Sequence, residues 1–102
     1  MRSVNIGASK QLNLADFEDK SLIIVDDDDP FRSRLSRAME KKGFSVKEAK
    51  TVEKALEVIK SSPPSFAVVD LRLETGNGLD VVKELSKVKK DSRIVMLTGY
   101  GN

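Results

Sequence analysis

The chain contains no cysteine and no histidine among its 102 residues. The first absence excludes disulfides, thiol nucleophiles and thiolate-bound zinc. The second removes Ser–His–Asp and Cys–His catalysis and most transition-metal sites. Chemistry must therefore rest on carboxylates, hydroxyls, lysines or the backbone, and any phosphohistidine that takes part belongs to a partner. No apolar run approaches the ~18 residues of a bilayer-spanning helix. Met1 to Lys20 lacks the long apolar centre of a signal peptide, so a cytoplasmic location is expected. The net charge is only +2. Such a balance creates no strong field toward nucleic acid or membrane, and direct binding to either is not expected. The length and the 39% hydrophobic content fit one small domain with one core.

The remaining sequence alternates between two periods. Residues 1–20 show no clear repeat and read as a partly ordered arm, with Val4, Ile6, Leu12, Leu14 and Phe17 scattered among polar residues. From Ser21 the order is strand, helix, strand, helix, strand, helix, strand, which predicts a parallel sheet. The strands are expected over about Ser21–Asp26, Phe44–Glu48, Phe66–Asp70 and Arg93–Thr98. Asp29 followed by Pro30 predicts a cap and first position for a helix reaching about Lys42, with Leu35, Ala38 and Met39 turned inward and Gly43 as the stop. Thr51 is expected to cap a second helix that buries Val52, Ala55, Leu56 and Ile59. A third helix carries Leu79, Val82, Leu85 and Val88. Before it lies the loop Glu74-Thr75-Gly76-Asn77-Gly78, whose glycines are read as suppliers of positive φ. They do not form a phosphate loop, because no Gly-Lys-Ser/Thr follows.

Chemistry gathers where the apolar runs stop. Leu22-Ile23-Ile24-Val25 runs into Asp26-Asp27, and Phe66-Ala67-Val68-Val69 runs into Asp70. Carboxylates just past buried strands sit at the carboxyl edge of a sheet, where open α/β folds build their sites. Neighbouring carboxylates repel, and a divalent cation turns that cost into an attraction. Ile94-Val95-Met96-Leu97 ends in Thr98, adding a hydroxyl to the same edge. Asp28 and Asp29 are better read as a solvated turn with one cap.

The set Val25-Asp26-Asp27, Val69-Asp70, Gly78 eight positions later, and Leu97-Thr98-Gly99 resembles the receiver domain of two-component response regulators. The likeness covers about Ser21 to Asn102. Asp70 to Leu79 and Thr98-Gly99-Tyr100 look most like the redox-responsive global transcription regulators of alphaproteobacteria. The resemblance implies a flavodoxin-like α/β fold, strand order 2-1-3-4, with the family's fifth strand absent. It implies an N-terminal arm over 1–20 and an incomplete receiver over 21–102. Asp70 would be the phosphoacceptor. Asp27, Asp70 and the backbone carbonyl of Arg72 would ligate Mg²⁺ or Mn²⁺, with Asp26 acting directly or through water. Thr98 would hydrogen-bond the phosphoryl group, and Gly99 would keep the pocket mouth open. Two departures stand out. Many receivers carry proline four residues after the phosphoacceptor, where this chain has Glu74. The family's lysine and aromatic switch residue on the fifth strand have no counterpart here, and Tyr100 is not that aromatic.

The implied function is phosphoryl acceptance from a histidine kinase, docked near Phe31 and Arg34 on the first helix, as a transcription-controlling switch rather than an enzyme with turnover. The runner-up is a phosphatase resembling the haloacid dehalogenases, with Asp26 as nucleophile, Asp28 as general acid and Thr98 on a later strand. A third is a non-phosphorylated interaction module. The apolar fourth strand, left at a sheet edge, is expected to pair with a second copy of the chain.

Overall fold

Leu22, Ile23, Ile24 and Val25 are all buried, so both faces of their strand must be covered. An unbroken aliphatic run of this kind marks the centre of a parallel sheet. The structure, a computed structural model, describes residues 19–98. The arm expected over 1–20, apart from Asp19 and Lys20, and the expectations for Gly99 and Tyr100 lie outside the described residues. The elements are β1 (Ser21–Val25), α1 (Asp29–Lys41), β2 (Ser45–Ala49), α2 (Val52–Ser61), β3 (Phe66–Asp70), β4 (Arg72–Leu73), β5 (Gly76–Asn77), α3 (Gly78–Val88) and β6 (Arg93–Leu97).

The main sheet has the order β2-β1-β3-β6, all parallel, which is the expected 2-1-3-4 arrangement. Val25 sits level with Ala49 on one side and Val69 on the other, and Asp70 sits level with Leu97. One face of the sheet carries Ile23, Val25, Ala67 and Val69 against Ala55 and Ile59 of α2 and Val81 and Leu85 of α3. That cluster is the core. α1 packs on β1 and β2.

Several boundaries differ from the sequence reading for definite reasons. The cap of α1 is Asp28, not Asp29: its side chain accepts from Phe31 N–H, which moves the helix start one residue toward the N-terminus. Asp29 becomes the acidic first residue, favoured by the helix dipole. The expected inner stripe of α1 is only half-buried, and Ser36 is its one buried residue. α1 lies toward β2, whose Ser45, Lys47 and Glu48 are exposed, so little apolar surface faces it there. In α3 the buried pair is Val81 and Leu85, while Leu79 and Val88 are 39% and 48% exposed. Gly78 N–H donates to Leu71 O at 3.2 Å, and this tether sets the rotation of the helix. Residues 74–78 are not plain loop: Gly76 and Asn77 form β5, which pairs with β4 as a small antiparallel ladder.

Gly43 has φ 105°, the backbone state that stops α1. Gly76 and Gly78 do not share it: Gly43 is the glycine with positive φ among the described residues. The reason for glycine at 78 is space. A Cβ there would lie 2.2 Å from the carbonyl oxygen of Asp70 and 2.9 Å from Leu71 Cα.

Candidate functional site

β1 delivers Asp26 and Asp27, and β3 delivers Asp70, to one edge of the sheet. Because Val25 and Val69 are level, the acids that follow them are neighbours across the ladder. One carboxylate oxygen from each of Asp26, Asp27 and Asp70 lies within 4.8 Å of the others. Asp26 is buried, at 5% exposure, and the other two are half-buried.

Each carboxylate is aimed by a backbone N–H. Asp28 N–H donates to Asp26 Oδ1 at 2.8 Å. Arg72 N–H donates to Asp70 Oδ1 at 2.9 Å. Glu74 N–H donates to Asp27 Oδ2 at 2.7 Å. The last bond joins the turn between β4 and β5 to the turn after β1, and proline at 74 could not make it. The departure from the common receiver pattern thus supplies a donor to the site.

Electrostatics oppose ionisation of Asp26 in the absence of a cation. Burial, then the charges of Asp70, Asp27 and Asp28, push the Asp26 carboxyl up from its ordinary range, against the Asp28 N–H that favours the charged form. The donor set is all oxygen and all acid, the kind hard divalent cations such as Mg²⁺ or Mn²⁺ prefer. One buried, two half-buried and all three hydrogen-bonded into convergence, these residues fit such an ion.

The other expected residues fall at different distances from this centre. Leu71 N–H donates to Leu97 O at 2.9 Å, which holds the ends of β3 and β6 together, and the exposed Thr98 follows directly. Arg72 is adjacent to Asp70 through its N–H. Phe31 is half-buried and Arg34 exposed on the first turns of α1. Asp28 spends Oδ1 on the helix cap at 3.1 Å and stands apart from the acid cluster. The general acid of the phosphatase reading is thus engaged in capping α1.

Arg32 escaped the sequence reading. Its Nη1 donates to the carbonyl oxygen of Asp26 at 2.7 Å, Nε to Glu48 Oε1 at 2.9 Å, and Nη2 to Asp29 Oδ1 at 2.8 Å. A cation in a first turn opposes the helix dipole. That misplacement was the available signal that Arg32 has acidic partners.

An open parallel α/β sheet thus carries an acid triad at its carboxyl edge, under a turn pinned by Gly78. The response regulator receiver domain family matches residues 22–102, and the chain belongs to it. Among its relatives, the photosynthetic apparatus regulatory protein RegA of Rhodovulum sulfidophilum is 57% identical over 84 residues, covering 82% of this chain and 46% of that protein. The acid tolerance regulatory protein ActR of Rhizobium meliloti is 51% identical over 84 residues, covering 82% and 43%. The chain thus spans about half the length of these curated relatives. The similarity to this subgroup of regulators matches the one seen in the sequence.

Solved structures agree on the fold. A response regulator protein from Burkholderia pseudomallei, with a phosphorylated aspartic acid, calcium ion and citrate, superposes with TM-score 0.76 at 33% identity, covering 82% of this chain and 49% of that one. The response regulator protein TrrA from Thermotoga maritima, in complex with Mg(2+)-BeF, gives TM-score 0.72 at 30% identity, covering 80% and 71%. No helix among the described residues is long and apolar enough to cross a membrane.

Proposed function

We propose that this receiver accepts a phosphoryl group on Asp70 from a histidine kinase and uses the modified state as a switch, in a cytoplasmic protein that controls transcription through a segment outside residues 21–102, with residues 1–20 as an arm. The observation that carries the reading is the convergence of Asp26, Asp27 and Asp70 at the ends of two adjacent parallel strands. The phosphorylated, calcium-bearing state of one solved relative and the Mg(2+)-BeF complex of the other support it.

An Asp70 carboxylate oxygen attacks phosphorus; the P–N bond to the partner's histidine breaks, and the imidazole leaves with the electron pair. Asp27, Asp70 and the Arg72 carbonyl would hold Mg²⁺ or Mn²⁺, with Asp26 direct or through water. When bound, the ion offsets the phosphoryl oxygens' charge. Arg72 N–H steadies Asp70 Oδ1 during approach. The Thr98 hydroxyl donates to a phosphoryl oxygen of the product, a charge-assisted bond of about 1.5–3 kcal/mol. The product adds roughly −1.5 to −2 charge beside Asp26 and Asp27. Gly78 keeps the Asp70 backbone free of a colliding Cβ. The start of α1, at Phe31 and Arg34, docks the kinase.

Incubation with Mg²⁺ and acetyl phosphate, followed by intact-mass measurement, tests this. Wild type gains one phosphoryl group and Asp70→Asn gains none; equal labelling of the two overturns the assignment. With a kinase as donor, Phe31→Ala with Arg34→Ala slows transfer while labelling by acetyl phosphate keeps its rate. Equal slowing from both donors counts against docking at α1.

A further inference from the structure

The acid cluster does not orient itself. β1 ends at Val25, and beyond it the main chain of Asp26 and Asp27 must turn so that both side chains face Asp70. Asp26 N–H is still held by the sheet, donating to Ala49 O at 3.1 Å. Its carbonyl has passed the end of the ladder and is taken instead by Arg32 Nη1 at 2.7 Å. Arg32 is itself fixed on two other sides, by Glu48 on β2 and Asp29 on α1. Its side chain is only 14% exposed, while Asp29 and Glu48 are 59% and 39% exposed. A guanidinium fork can make three such bonds in one plane, and an ammonium cannot reproduce that geometry.

We propose that Arg32 is a positioning residue for the metal and phosphoryl site: it grips the Asp26 carbonyl and thereby sets the direction of the Asp26–Asp27 carboxylates. The same grip holds Asp29 away from the acid cluster, with Lys50 Nζ on its second oxygen at 3.5 Å. The proposal rests on the metal-binding reading of the site. It also makes a prediction opposite to simple electrostatics. Arg32 is a cation near a proposed cation site, so if charge were its whole effect, removing it would tighten Mg²⁺. If it positions the turn, removing it loosens Mg²⁺.

The test compares the full chain with Arg32→Met, Arg32→Lys and Asp27→Asn. Mg²⁺ affinity is read by calorimetry. Asp28 amide hydrogen exchange is read by NMR in EDTA, since that amide bonds to Asp26 Oδ1. Arg32→Met and Arg32→Lys are both expected to weaken Mg²⁺ about 10-fold, the scale typical of residues that orient metal ligands. Both are also expected to speed exchange at Asp28, with helix α1 amides unchanged. Tighter Mg²⁺ in Arg32→Met, or wild-type affinity in Arg32→Lys, overturns the proposal. The EDTA measurement separates it from the reading beneath it. Should wild type bind no Mg²⁺ and Asp27→Asn match it, the metal reading fails, and unchanged Asp28 exchange then independently overturns the role of Arg32.

Discussion

Asp26 combines burial with three like charges nearby, and its energetics have a definite sign. Its carboxyl is pushed up from the ordinary value near 3.8 by burial first, then by Asp70, Asp27 and Asp28. The unfolded chain therefore releases this proton at lower pH than the folded one. Below the unfolded value both states hold the proton and nothing is lost. As pH rises from there through the folded value, stability falls, and the loss persists at neutral pH. Asp26→Asn should thus raise the thermal midpoint in EDTA at neutral pH, at about 4–8 °C per kcal/mol for a domain this small. The gain should vanish on acidification toward about pH 4. In Mg²⁺ the order should narrow or reverse, because the variant loses a carboxylate from the proposed metal site. Differential scanning calorimetry at two pH values, with and without the ion, checks all three. A variant less stable than wild type in EDTA at neutral pH would show that hydrogen bonding to Asp28 outweighs the repulsion.

At the scale of elements, the turn after β1 divides its acids by task. Asp26 and Asp27 follow β1 into the acid cluster; Asp28 caps α1 through Phe31 N–H. Asp28→Ala should therefore cost about 1 kcal/mol in a denaturant melt, the usual worth of a helix cap. Its Mg²⁺ affinity should stay within about twofold of wild type, as expected for a residue outside the ligand set. A larger loss of Mg²⁺ binding than in Asp27→Asn would return Asp28 to the site. The sequence displayed this division only in part. Strand ends were legible because four consecutive aliphatics have no amphipathic period to obscure them, and α2 was legible because Thr51 and its inward stripe agree. The cap was misplaced by one because Asp-Asp-Asp-Asp-Pro offers several acceptors and only the bond to Phe31 N–H selects one. α3 was rotated because its apolar spacing fits two faces, and the choice is made by a main-chain tether from Gly78 to Leu71. Glu74 and Arg32 act at the site through a backbone N–H and a backbone acceptor, and side-chain type does not announce either partner.

At the scale of the molecule, β6 pairs with β3 on one side, and no strand among the described residues pairs with its other edge. Met96 on that strand is 50% exposed, beside the half-buried Ile94, Val95 and Leu97. Such an edge recruits a partner unless charge blunts it. Sedimentation across concentrations should show self-association of this chain, and Met96→Lys should shift it toward monomer without lowering the thermal midpoint. A monomer at high concentration in wild type would remove the case for edge pairing. The crossover that sets β1 beside β3 has a further effect. Glu74 N–H and the Asp27 carboxylate it meets are 47 positions apart in the chain. No local hairpin or helix can assemble that junction early, and distant pairings of this kind are reached late in folding. The junction therefore exists only in chains that have folded through β3, and a divalent ion held there binds the finished fold and not its precursors. At about 100 times its dissociation constant such a ligand adds about 2.7 kcal/mol to stability. Magnesium bound at the proposed site would then act on this small domain twice, as a partner in phosphoryl chemistry and as a thermodynamic sink that pulls newly made chains toward completion.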